Sequence, residues 1–132
     1  MGHVMRLLLD TCTFIWLAAE PDELSSRARK AVSDEKNELF LSHASAWEIH
    51  LKSLANKLIL PDKPRVWIAQ QLSARQVTDW PIDLEVIHFT SDLPAYHKDP
   101  FDRLILAQAA VHDLRIVTPD PAFRSYKTKL LW

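Results

Sequence analysis

Short apolar runs alternate with longer amphipathic stretches along the chain, and no repeat or low-complexity linker interrupts them. The apolar runs predict strands at Met5 to Leu9, Leu39 to Ser42, Val77 to Trp80 and Arg115 to Thr118, with a weaker one at Lys129 to Trp132. The stretches between them predict helices over Thr13 to Ala19, Ser25 to Ser33, Ala44 to Ala55, Pro64 to Arg75, Leu84 to Phe89 and Pro100 to His112. Several carry start signals: Ser25 or Ser26 for the second, Ser42 for the third, Asp62 or Lys63 with Pro64 for the fourth, and Asp99 with Pro100 for the sixth. Strands separated by helices pair in parallel through right-handed crossovers. The expected fold class is therefore α/β, a three-layer α/β/α sandwich on a central parallel sheet of four or five strands. Sites in such sheets lie at the carboxyl ends of the strands. The Pro100 to His112 stretch is apolar almost all round, which places it between the sheet and another layer.

A chain of 132 residues, 48% hydrophobic and 25% charged, fits one globular domain, expected over 1–132. The longest apolar run, Leu104 to Val111 broken by Gln108, is far short of the roughly 20 residues that cross a bilayer. The start lacks a basic segment followed by an apolar one, so no secretory signal is expected. Met5 is the expected native start, with residues 1–4 an addition ahead of it. Cys12, the only cysteine, excludes an internal disulfide and a cysteine zinc cage and fits a reducing, cytoplasmic setting. A formal net charge of -1 excludes a protein that grips nucleic acid with its whole surface, so any RNA contact is local.

The only glycine is Gly2, which removes both the dinucleotide fingerprint and the Walker loop, because each needs glycines where backbone N–H groups approach a phosphate. The remaining recourse for handling phosphates is to hold divalent cations with carboxylates. Asp10 directly follows Leu7-Leu8-Leu9 and stands at a strand's carboxyl end, either as a site acid or as the cap of the next helix. Asp120, between Pro119 and Pro121, follows the Arg115 strand and is either a site acid or a turn former. Glu48 sits inside a helix beside Trp47 and Ile49, where simple exposure is the ordinary alternative. Asp102 opens the apolar sixth helix, where the helix dipole alone would favour an acid. Two strand ends and two helix starts can meet above one sheet edge. Charges 4 Å apart repel at about 4 kcal/mol with an effective dielectric near 20, so gathered acids need something positive among them; Lys and Arg are possible partners, but an all-oxygen set suits Mg²⁺ or Mn²⁺ better than zinc.

Four segments together resemble the PIN-domain nucleases and, within them, the VapC toxins of toxin–antitoxin pairs: Leu7-Leu8-Leu9-Asp10-Thr11-Cys12-Thr13, Ser45-Ala46-Trp47-Glu48-Ile49, His97 to Ala109 with its Asp99-Pro100-Phe101-Asp102-Arg103 core, and Val117-Thr118-Pro119-Asp120-Pro121-Ala122-Phe123. The resemblance implies a PIN-like domain with endoribonuclease activity dependent on Mg²⁺ or Mn²⁺. It also implies a homodimer and a small VapB-like antitoxin that holds the enzyme inactive. It gives Asp10, Glu48, Asp102 and Asp120 the catalytic, metal-holding roles and Thr118 a supporting one. Thr11 fits the neutral or small residue that often follows the family's opening acid. Asp99, one turn before Asp102, is ligand, second-layer acid or helix cap, with cap or second layer favoured. In the mechanism this implies, one or two ions bind a backbone phosphate and activate water for in-line attack.

None of the six histidines has a partner at the spacing of a metal motif, so His97 and the rest are expected to be satisfied or surface groups. Trp16, Trp47, Trp67 and Trp80 fall at apolar positions and are expected in the core or an interface, with base stacking a lesser option. Phe14, Ile15, Leu17 and Leu24 are either core or a groove for an antitoxin segment. Cys12 is expected to pack rather than react. A haloacid-dehalogenase-like phosphatase is the alternative enzyme, but Cys12 stands where that chemistry wants a second Asp. A non-catalytic PIN-like interaction module is the other alternative, though it would have no need of all four acids.

Overall fold

The computed structural model describes residues 4–132. The proposed addition ahead of Met5 falls almost wholly outside them. In chain order the elements are β1 (Arg6–Leu9), α1 (Thr11–Ala19), α2 (Ser26–Ser33), β2 (Glu38–Ser42), α3 (His43–Leu54), α4 (Pro64–Arg75), β3 (Val77–Trp80), α5 (Leu84–Thr90), α6 (Pro100–His112), β4 (Arg115–Val117) and β5 (Leu130–Leu131). The five strands form one all-parallel sheet in the order β3-β2-β1-β4-β5. That is the three-layer α/β/α fold expected from the alternation.

Strand periodicity sorts the core into two layers. Leu7 and Leu9 of β1, with Leu39 and Leu41 of β2, face one side, where Phe14, Ala28, Ile49 and Trp67 of the first four helices cover them. Leu8, Phe40 and Ile116 face the other side, against Ile105, Leu106 and Ala109 of α6. One-handed crossovers explain the division, since the chain moves outward from β1 through β2 to β3 and then returns past β1 to β4 with α5 and α6 on the opposite face. The reversal between β1 and β4 makes a topological switch point at the carboxyl ends of two central strands. Among the described residues no helix is long and apolar enough to cross a membrane.

One expectation changes and two are narrowed. Helix α1 begins at Thr11, two residues earlier than the apolar pattern suggests, because Asp10 itself caps it. Phe14 and Leu24 are fully or nearly fully buried under the sheet and are core, while Ile15 and Leu17 pack partly buried against that core. Trp47 is 58% exposed, so it is not a core residue; its ring lies edge-on to Phe101 at 5.2 Å, and Leu51 and Leu54 continue the exposed apolar line along α3.

Candidate active site

Asp10 enters the site because β1 ends there. Its backbone N–H donates to the Val117 carbonyl of β4 at 3.2 Å, and Thr13 Oγ1 donates to the same carbonyl at 2.9 Å, which ties the two strand ends together. The side chain is buried. Oδ1 accepts from the Thr13 N–H at 2.8 Å and Oδ2 accepts a short hydrogen bond from the Thr118 hydroxyl. Burial nevertheless raises the Asp10 carboxyl above the ordinary carboxylate range, against the opposing pull of these donors. The neighbouring Cys12 thiol is pushed up to about 12, by burial first and by the Asp10 charge next, so it stays protonated near neutrality and packs as expected.

Glu48 arrives from the second turn of α3, a helix whose start is set by Ser42 accepting from the Ala44 N–H. Its Oε1 accepts from Thr11 Oγ1 at 2.5 Å, and Lys52, one turn further on, approaches Oε2 at 3.2 Å. Glu48 is therefore oriented from two sides and is not a freely exposed helix acid. Ser45 Oγ lies 3.0 Å from Thr11 Oγ1, which can accept from it while giving its own proton to Glu48, so α1 and α3 meet through a small polar network beside the acids.

Asp102 lies in the first turn of α6. Asp99 caps that helix, its Oδ1 accepting from the N–H groups of Phe101 at 2.9 Å and Asp102 at 3.3 Å, and its side chain also faces the cleft. The Asp102 carboxyl is pushed up to about 6, through burial first and then repulsion from Asp99, while His97 pulls the other way. Asp120 follows β4, accepts from the Ala122 N–H at 2.9 Å and receives its own orientation from its backbone N–H, which donates to Thr118 Oγ1 at 3.1 Å. One threonine thus bridges two acids.

Asp10, Glu48, Asp99, Asp102 and Asp120 line one cleft of about 220 Å³ with Thr11, Cys12 and Lys52. Asp102 and Asp120 also form a tight set with His97, which does not itself line the cleft: the ligand atoms of the three lie within 4.8 Å of one another. Asp10 and Glu48 share the cleft but not that set. The residues fit a hard divalent cation: five carboxylates face one lysine, and no thiolate is available. The sequence reading missed two participants. Lys52 was visible as a basic residue one turn after Glu48. His97 Nε2 is 2.6 Å from Asp102 Oδ2, a contact for which neither composition nor metal-motif spacing supplies a signal.

A parallel sheet whose strand order reverses between two central strands, with carboxylates gathered over their ends, defines an α/β fold carrying an acidic candidate site at its switch point. The chain matches the PIN domain over residues 7–129. It is 34% identical over 122 residues to Ribonuclease VapC22 of Mycobacterium tuberculosis, with 92% of each chain covered. In fold it is similar to VapBC2 from Rickettsia felis bound to a promoter DNA fragment (TM-score 0.70, 15% identity, 96% of this chain and 97% of that one). It is also similar to DNA-bound VapBC from Salmonella typhimurium (TM-score 0.69, 18% identity, 96% and 97%). This chain belongs to the PIN-domain family, and its curated relative places it beside the VapC ribonucleases.

Proposed function

We propose that this chain is the ribonuclease toxin of a toxin–antitoxin pair, an endoribonuclease that cleaves RNA phosphodiester bonds with Mg²⁺ or Mn²⁺. The observation that carries the reading is the convergence of Asp10, Glu48, Asp102 and Asp120 on one cleft in a chain so similar to a named VapC ribonuclease. These four carboxylates hold the cation. When bound, the ion supplies Lewis acidity that activates water and offsets charge on the phosphate. The chain's own groups supply position: Thr13 and Thr118 fix both oxygens of Asp10, Thr11 and Lys52 fix Glu48, and Thr118 and Ala122 fix Asp120. Asp99 serves as the cap of α6 and as a neighbouring negative charge. A VapB-like antitoxin and pairing into a homodimer complete the proposal, on the family resemblance and on the VapBC complexes that share the fold.

The test is incubation of purified protein with total RNA in Mg²⁺ or Mn²⁺, beside an EDTA control and the Asp10→Asn and Asp102→Asn variants. Cleavage by the wild type alone, lost with EDTA, is the expected outcome. Equal cleavage by the folded variants would contradict the assignment.

A further inference from the structure

We propose that His97 is a positioning residue of this site, fixing the Asp102 carboxylate without itself binding the cation. The inference rests on the nuclease reading only for the activity it predicts.

The loop before α6 is held in an unusually determined way. The Arg103 guanidinium donates to four carbonyls of one short segment: Thr90 at 2.6 Å, Leu93 at 3.2 Å, Pro94 at 2.9 Å and His97 at 3.1 Å. The His97 N–H donates to the Tyr126 hydroxyl at 2.7 Å, and that hydroxyl donates to the Pro94 carbonyl at 3.1 Å. The imidazole ring stands edge-on to buried Phe123 at 6.1 Å. Arg103 follows Asp102 on α6, so one helical turn carries both the acid and the group that gathers the His97 loop. The distance between His97 and Asp102 is thereby set by the fold.

The contact's chemistry follows from its length. At 2.6 Å an unprotonated Nε2 would set its lone pair against carboxylate lone pairs, so Nε2 carries a proton toward Asp102 Oδ2. The approach lies off the N–H axis, so it is a close polar contact and not a well-aligned hydrogen bond, and among the described residues Nε2 has no hydrogen-bond partner. On the far side of the ring Nδ1 accepts from the Asp99 N–H at 3.5 Å, which requires a lone pair there. Both contacts call for the same tautomer. Direct ligation is the rival reading, because His97 lies in the tight set with Asp102 and Asp120. Ligation through Nε2 would move the ring proton to Nδ1, where it would meet the Asp99 N–H donor head on. The geometry therefore favours a histidine that orients an acid, an arrangement whose loss typically costs about 10- to 100-fold in metal affinity or activity.

The experiment compares wild type, His97→Ala and His97→Gln for kcat and KM on RNA with Mn²⁺ and for Mn²⁺ affinity by calorimetry. Electron spin echo measurements on Mn²⁺-loaded protein carrying ¹⁵N-histidine accompany them. Glutamine places an N–H donor near the position of Nε2. Positioning predicts that His97→Ala loses about tenfold or more in kcat and in Mn²⁺ affinity with little change in KM, and that His97→Gln recovers most of both. It also predicts no nitrogen bound directly to Mn²⁺. An alanine variant equal to wild type, a glutamine variant as impaired as alanine, or a directly bound histidine nitrogen overturns it. Should alanine fail to fold, the glutamine variant and the spin echo signal still decide. If the wild type cleaves no RNA, the nuclease reading falls, and Mn²⁺ affinity alone then judges His97, unchanged binding in His97→Ala overturning the inference.

Discussion

Cation binding should depend steeply on pH, because Asp102 must lose a proton to receive the ion. Its carboxyl titrates at about 6, so about one copy in eleven is ionised at pH 5 and about ten in eleven at pH 7. Mn²⁺ affinity should then fall about tenfold over that interval, equivalent to about 1.4 kcal/mol of binding free energy, and the raised Asp10 carboxyl steepens the fall. Calorimetry in two buffers of different ionisation enthalpy reads both quantities, since close to one proton per ion should be released at pH 5 and almost none from Asp102 at pH 7. Asp99→Asn keeps the cap of α6 and removes the nearest like charge, so it should move the transition to lower pH; were Asp99 a ligand, affinity would fall at every pH. The stability of the metal-free protein should move in the opposite sense. Between the unfolded carboxyl value and about 6 the native state holds a proton that the unfolded chain has released, so Asp102's contribution to stability declines as pH rises through that window. Equal Mn²⁺ affinity at pH 5 and pH 7 would refute the reasoning.

Three further outcomes follow from the same geometry. Thr118→Val removes the hydroxyl that donates to buried Asp10 and accepts from the Asp120 N–H, and should cost about 1.5–3 kcal/mol in urea unfolding at neutral pH. Phe14→Ala empties a fully buried site edge-on to Trp67 and should cost about 3–5 kcal/mol, measured by the same unfolding midpoint. Cys12→Ala should leave the RNA cleavage rate unchanged, because a thiol pushed up to about 12 has no thiolate to offer near pH 7; a large loss of rate would give that residue a role absent from the present account.

The fold was legible in the sequence because its strands are short, apolar and ended by polar residues. Leu7-Leu8-Leu9 before Asp10 marks a strand and its carboxyl end without reference to anything distant. The helix starts at Ser42 and Asp99 were equally local, and both cap as their positions suggest. Glu48 was legible only through its surrounding motif, since its orientation comes from Thr11 on another helix, a partner 37 positions away. His97 was less accessible still: its placement depends on Tyr126, 29 positions on, and on an arginine whose partners are main-chain carbonyls and leave no side-chain pattern. The exposure of Trp47 escaped notice because an aromatic beside Ile49 reads as core, whereas the helix turns that ring toward Phe101 and solvent.

Three of the five clefted acids double as the cap just ahead of a helical turn: Asp10 for α1, Asp99 for α6, and Asp120 for the 3-10 turn at Pro121–Ser125. Aligned peptide dipoles give the α1 and α6 termini about half a unit of positive charge each, and the N–H groups of all three caps add to it, so backbone amides already soothe part of the crowding that an ion would otherwise have to cancel. Assembly and activation are separable as a result. On the proposed reading the polypeptide should reach its native form without the ion and take it up afterwards, unlike small zinc modules that need the metal in order to fold at all.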